Sequence, residues 1–196
     1  SKSLFMNVDT ADIKNRNIVP EDKHPYLTDR MIFNLKKGGL EKNTLMILDL
    51  IANNNWERPV YFNNTSLQGV SVNLNEYVVQ EGNTYRLLPV KNPDPRSEFV
   101  NTEVMYDNVM NEFRFRGLDD PKVYNSIDHR NFALNHRSTM NSLANALISE
   151  GKTDEARAVL NKSLEAIPDI SIPYDYTSSQ MVKLLYRVGE QDRAKE

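Results

Sequence analysis

The sequence predicts an α+β fold, with α/β as the alternative: a small mixed sheet with helices in the N-terminal half, then paired helical hairpins in the C-terminal half. Three observations lead there. Up to about residue 90, short β-branched and aromatic runs alternate with helical stretches. Pro89, Pro93 and Pro95 then punctuate a loop over residues 91–97. Beyond that loop nearly every segment has helical period. The expected division is a mixed α/β subdomain over 1–97 and an all-helical subdomain over 98–196, with the second packed on the first.

In the first half, residues 3–8 and 31–36 read as short strands. Asn43-Thr44 is placed to cap a helix running through Asn53. Its apolar set (Leu45, Met46, Ile47, Leu48, Leu50, Ile51, Ala52) covers nearly every face, which predicts a helix buried on most faces. Asn53-Asn54-Asn55 ends it, because Asn tolerates the left-handed conformation that closes helices. Arg58-Pro59-Val60-Tyr61-Phe62 follows as a strand with proline at its start or on an edge. Residues 74–80 form a short helix in this reading, Glu81-Gly82-Asn83 a turn, and 84–90 a further strand.

In the second half, Asn101-Thr102 precedes a helix with Met105, Val109 and Phe113 at i, i+4 and i+8, broken by Gly117. Asp119-Asp120-Pro121 reads as a cap followed by proline at the first helical position. From Asn131 onward the pattern repeats. Met140, Leu143, Ala144 and Leu147 fall on a first helix, and Gly151 makes a turn. Ala156, Leu160, Ser163 and Pro168 fall on a second. Small residues at Ala144 and Ala156 let two antiparallel helices approach, while Leu147 and Leu160 fill the groove between them. A second copy carries Met181, Val182, Leu185, Gly189 and Ala194. The spacing from Ala156 to Ala194 is about 38 residues against about 34 for a tetratricopeptide repeat, which this pattern resembles. The pattern departs at Leu147, where an aromatic is usual, and at Ser178, where a bulky residue is usual. An ordinary helical hairpin is the alternative. One and a half units fall short of the roughly three that stand alone, so packing surface or spacer is favoured over a peptide groove.

Composition removes several function classes. With 24 Lys+Arg against 27 Asp+Glu, the net charge is −3 and no basic block suggests nucleic acid. The absence of cysteine removes disulfides, thiol catalysis and cysteine-ligated metals. The longest apolar stretch, 45–52, is interrupted by Asp49 and is far too short to span a membrane. The chain starts Ser1-Lys2-Ser3 without initiator Met or signal pattern, and is expected to be a piece of something longer.

The search for chemistry yields candidates rather than a catalytic constellation. His129 and His136 are seven apart, not the i, i+4 of a helical zinc site, and His24 reads as an exposed loop residue. No cofactor and no metal are expected. Asp119 and Asp120 read as caps. Asp49, in an otherwise apolar helix, needs a partner; Arg58 is the candidate, as an ion pair or a functional site. Gly38-Gly39 is isolated and makes no phosphate loop. The single tryptophan, Trp56, lies among Asn54, Asn55 and Arg58, with Tyr61 nearby. Trp56, Arg58, Tyr61 and Asn54 are the candidate binding residues for a sugar, with a core plug as the alternative role for Trp56. Asn63-Asn64-Thr65-Ser66 holds two overlapping glycosylation sequons, and Asp9-Thr10-Ala11 resembles a bacterial O-glycosylation acceptor.

Several phrases occur together and in order: Leu45-Met46-Ile47-Leu48-Asp49-Leu50-Ile51-Ala52, Asn55-Trp56-Glu57-Arg58-Pro59-Val60-Tyr61-Phe62, Glu81-Gly82-Asn83-Thr84-Tyr85-Arg86-Leu87-Leu88-Pro89-Val90, Val100-Asn101-Thr102-Glu103-Val104-Met105-Tyr106-Asp107-Asn108 and Gly117-Leu118-Asp119-Asp120-Pro121. From about Met31 to the end the chain resembles the C-terminal soluble region of a bacterial family of multi-spanning membrane proteins. That family carries a domain of unknown function and is similar to protein O-mannosyltransferases acting on lipid-linked sugars. The resemblance implies a periplasmic appendage to a membrane-embedded transferase whose catalytic acids lie outside this chain. It makes the rest of the parent protein the first partner, with acceptor or partner proteins as further ones. The expected function is therefore a non-catalytic accessory domain mediating protein contacts. The alternative is a carbohydrate-binding module around Trp56, and a stand-alone enzyme built on Asp49 and Arg58 is the least favoured.

Overall fold

A computed structural model describes residues 3–35 and 39–195. Lys36 and Gly38, which the sequence places in a strand end and in the glycine pair, lie outside the described residues. The chain divides into two compact units. One comprises the residues up to Gln80 together with Thr84–Phe99; the other comprises Glu81–Asn83 and everything from Val100.

The first unit is α+β. Strands β1 (Ser3–Asn7) and β2 (Arg30–Asn34) pair antiparallel, with Leu4 opposite Phe33 and Met6 opposite Met31. Strand alternation puts Met31 and Phe33 in the core and leaves their neighbours outside. The Tyr77 hydroxyl accepts from the Ile32 N–H at 2.8 Å, covering β2 on its other edge. A second sheet has the order β3 (Tyr61–Phe62), β5 (Tyr85–Leu87), β4 (Val78–Gln80), again antiparallel throughout. Among the described residues the small sheet expected to be mixed is thus two small antiparallel ones. The run expected as one helix over 74–80 is a single 3-10 turn, Leu74–Tyr77, that passes directly into β4. Val78 and Val79 favour the strand, and both are buried in it.

Helix α1 (Thr10–Asn15) is capped by Asp9, whose carboxylate accepts from the Ala11 and Asp12 N–H groups at 3.0 Å. Helix α2 (Lys42–Asn54) is closed by Asn55 in the left-handed conformation, as its sequence predicts. Its burial corrects the expectation of a helix buried on most faces. The covered stripe is Thr44, Ile47, Leu48 and Ile51, the i, i+3, i+4, i+7 face; Leu45, Met46 and Leu50 are exposed. Thr44 earns its buried place by accepting from the Ser71 N–H at 2.9 Å. Asp49 is exposed and accepts from its own helix neighbour Asn53 at 3.1 Å. Among the described residues no ion pair joins it to Arg58, because a carboxylate in water needs none. A short helix α3 (Asn64–Gln68), capped by Asn63, completes the unit.

The second unit is helical. Helix α4 (Thr102–Asp107), capped by Asn101, runs into a π-helical turn that ends at Glu112, so the helix stops before Phe113 and well before Gly117. No helix starts at Pro121. Asp120 instead accepts from the Lys122 N–H at 2.9 Å in a turn, and Ser126 caps the next helix. That helix, α5 (Ile127–Ser149), forms an antiparallel hairpin with α6 (Thr153–Ala166) across Gly151, whose φ is +79°. Met140, Leu143, Ala144, Leu147, Ala156, Leu160 and Ser163 are all buried, at the positions the repeat assigns to helix–helix packing. Helix α7 (Tyr176–Arg187) opens on a capping box at Asp175 and Ser178 and buries Met181, Leu184 and Leu185. Val182 faces out and Leu184 takes the inward place, which corrects the register of the second copy.

Candidate functional site

The left-handed Asn55 is followed by Trp56 in the same conformation (φ +46° and +58°), and Asn17, after α1, has φ +51°. Two consecutive non-glycine residues there, one of them bulky, constitute backbone strain that only surrounding contacts hold in place. The contacts come from Arg16. Its guanidinium donates to the Asn55 carbonyl at 3.0 Å and the Trp56 carbonyl at 3.2 Å, while also pairing with Asp12 at 2.9 Å. Asn54 closes the other side: its amide donates to the Arg58 carbonyl at 2.7 Å and accepts from the Arg58 N–H at 3.3 Å.

These elements wall a cleft of about 200 Å³ in the first unit. Asn54, Trp56 and Arg58 line it, as do Arg16, Asn17 and Arg86. Trp56 is half-buried and packs on the apolar core, as the core-plug role expects, while also lining the cleft. Arg86, on β5, donates to the Ile18 carbonyl at 3.3 Å. Tyr61 shares the sheet face of its register partner Arg86 but does not line the cleft; it is exposed on β3. Sequence reasoning thus brought three of four candidates to one place and missed Arg16, Asn17 and Arg86. A signal for Asn17 existed, since Asn just past a short helix is the residue that accepts a left-handed turn. Nothing local marks Arg86 as a cleft residue, because its position depends on a pairing 25 residues away.

A second cleft of about 280 Å³ lies in the same unit, lined by Asn64, Gln68, Asn75, Tyr85, Asn92 and Glu98 among others. Burial, followed by the charge of Glu98, pushes the Tyr85 phenol up to about 12. The Glu98 carboxyl is itself raised by partial burial, although the residue as a whole is exposed.

The histidines hold no common site. His24 is half-buried in a 3-10 turn rather than in an exposed loop, and its Nε2 donates to the Val19 carbonyl at 3.1 Å. His129 is exposed, while His136 lies edge-on to Phe113 and Phe115 in the second unit. Among the described residues no three His, Asp or Glu side chains gather as metal ligands. Asn63 and Asn64 of the sequons are exposed. In Asp9-Thr10-Ala11 the Asp is a helix cap and Thr10 is half-buried.

Sequence reasoning also passed over Arg137. It sits on the α5 stripe that runs through Ala133, Met140 and Ala144, at 0% exposure. Its guanidinium donates to the carbonyls of Pro173 at 3.1 Å and Ile167 at 2.8 Å, and to that of Ile172, and it lies over the Tyr174 ring. Desolvation lowers its pKa, with nearby Asp175 opposing; the group stays cationic.

A two-unit chain with one α+β unit and one helical unit, and with both clefts described above in the first, is the class of protein at hand. Residues 1–106 match TMEM260-associated domain 2, and the chain belongs to that family, whose domain of unknown function is associated with membrane proteins. The match starts at residue 1 rather than near Met31 and covers all of the first unit, while residues 107–196 lie outside it. A search of curated proteins and a search of solved structures each found no match. Among the described residues no helix is long and apolar enough to cross a membrane.

Proposed function

We propose that this chain is a non-catalytic accessory domain of a membrane protein, displayed on the periplasmic side and engaged in protein contacts. The observation that carries the reading is helix α2. It turns Leu45, Met46 and Leu50 to solvent, with Met46 at 64% exposure, in a domain whose family is tied to membrane proteins. Met46 and Leu50 are one turn apart on the exposed side of the helix, and adjoining exposed apolar side chains of this kind can form an interaction surface. The non-catalytic part rests on the lining of the Trp56 cleft, where Glu57 is the one carboxylate beside three arginines and no acid–base pair is offered. A glycosyltransferase-like parent is the finer form of this reading and rests on the sequence resemblance alone.

The test is affinity purification of the full-length membrane protein carrying Met46→Glu and Leu50→Glu together. The reading expects a co-purifying protein to be lost while the far-UV spectrum of the separately purified domain is unchanged. Retention of every co-purifying protein would contradict it, and so would glycosyl transfer by the domain alone.

A second reading, ligand binding at the Trp56 cleft, is favoured by the strained Asn55-Trp56 pair held over that cleft by Arg16. Strain kept in place by dedicated contacts concentrates at binding sites.

A further inference from the structure

We propose that the Trp56 cleft binds a small anionic ligand through an oxyanion, phosphoryl or carboxylate, set against the indole. The proposal rests on the second reading above and adds the chemical class of its ligand.

Three arginines, Arg16, Arg58 and Arg86, line this cleft with one carboxylate, Glu57, while Asp12 pairs with Arg16 beside it, in a chain whose overall charge is −3. The local excess of positive charge therefore runs against the whole. A guanidinium is the side chain best shaped for a planar two-oxygen grip on carboxylate or phosphate. Two of the three are held in position by backbone: Arg16 by the Asn55 and Trp56 carbonyls, Arg86 by the Ile18 carbonyl. Arg16 has five N–H donors. Its bonds to Asp12, Asn55 and Trp56 use three, and the remaining two have no partner among the described residues. Arg58 is exposed, but its backbone is pinned in a two-way ring with the Asn54 amide, which fixes where the side chain starts. Preorganised donors bind an anion without the ordering cost that a mobile side chain would add. The cleft, at about 200 Å³, lies below the roughly 300–1,000 Å³ of pockets for drug-sized ligands. A single sugar-sized or smaller anion suits it.

The chain holds one tryptophan, and it lines this cleft, so its emission reports occupancy directly. The experiment titrates the full chain at constant ionic strength with glucose 1-phosphate, glucuronate and glucose, read by Trp56 fluorescence and by calorimetry. The proposal expects saturable binding of at least one of the two anions and at least tenfold weaker binding of glucose. A response to glucose 1-phosphate alone assigns a phosphoryl group, and a response to glucuronate alone assigns a carboxylate. Arg58→Gln should weaken binding about tenfold, the loss of one charge-assisted contact. Arg96→Gln, exposed and in the other cleft, should leave binding unchanged. Glucose binding as well as the anions would overturn the proposal while leaving the cleft a sugar site. No binding by any of the three would overturn both, and an Arg58→Gln chain that binds like the unsubstituted one would overturn the oxyanion grip.

Discussion

The two units bury comparable apolar cores but handle their awkward backbone in opposite ways. In the second unit every left-handed position among the described residues is a glycine: Gly82, Gly117, Gly151 and Gly189. Glycine takes that conformation without steric cost, so the turns between helices are relaxed. In the first unit Gly39 has positive φ, but so do Asn17, Asn55 and Trp56, and these three non-glycine residues all lie at or beside one cleft. Buried charge differs in its partners: Arg137, sealed in the second unit, donates to three carbonyls, while the buried Lys23 of the first pairs with Asp22, and Arg16 and Arg58 remain at the surface. The contrast teaches that the helical unit leaves its left-handed turns to glycine, whereas the α+β unit also places non-glycine residues there, beside the cleft proposed to bind a ligand.

The largest expected effect is in the architecture. Arg137→Ala leaves three carbonyls without their donor and a void in the α5 stripe, and should lower stability by about 3 kcal/mol. Urea unfolding of the full chain followed by helical ellipticity measures it; a loss under about 1 kcal/mol would mean that the buried arginine is not a structural clamp.

Next come the strained positions. Asn55→Val forces a β-branched residue into the left-handed region and should lower stability by about 1–2 kcal/mol, read by Trp56 emission during unfolding. Arg16→Lys keeps the charge but cannot fork to two carbonyls, with an expected loss of about 1 kcal/mol. If both changes were neutral, the strain at the cleft would not be held in the way described.

A pH dependence then separates the units. The Asn83 amide accepts from the Thr139 hydroxyl at 2.7 Å through its oxygen, so its nitrogen faces His136 Nδ1 at 3.0 Å. That nitrogen donates, and the neutral imidazole accepts. Burial accordingly lowers the His136 pKa below its ordinary 6.5. A histidine held neutral contributes stability that is full above about 6.5 and is lost as pH falls through the lower folded value. Helical unfolding midpoints should therefore drop on going from pH 7 towards pH 5, and His136→Gln should flatten that slope. An equal slope in the variant would remove His136 as its source. The smallest effect belongs to Asp49→Ala. An exposed carboxylate bonded only within its own helix should change stability by no more than about 0.5 kcal/mol, whereas an ion pair with Arg58 would have made it matter more.

Much of this architecture is legible in the sequence because it depends on local pattern. The α5–α6 hairpin follows from small residues at Ala144 and Ala156 and a glycine turn, and the end of α2 follows from its asparagines. Where the reading missed, the deciding interaction was distant. Helix α2 has more apolar residues than the core can cover, and only the fold decides that Thr44 goes in while Met46 stays out. The end of the segment expected as helix, Val78–Gln80, is strand because β5 pairs with it. Arg137 was readable in principle, since it falls on the spacing of Ala133, Met140 and Ala144. An arginine on an apolar stripe announces a buried clamp once the carbonyls of the 167–173 segment are known to face it. The cleft was half legible: Asn54, Trp56 and Arg58 are neighbours in sequence, but Arg16 and Arg86 arrive from other elements.

The most direct test of the central claim, that the first unit carries the interactions and the second the framework, uses a photo-reactive benzophenone amino acid in the full-length membrane protein. It replaces Met46 on the exposed side of α2 or, as the comparison, His129 on the exposed start of α5. Irradiation in intact cells should give a discrete higher-mass adduct from position 46 and none from position 129. Adducts from position 129 alone would contradict the account and move the interaction surface to the helical unit.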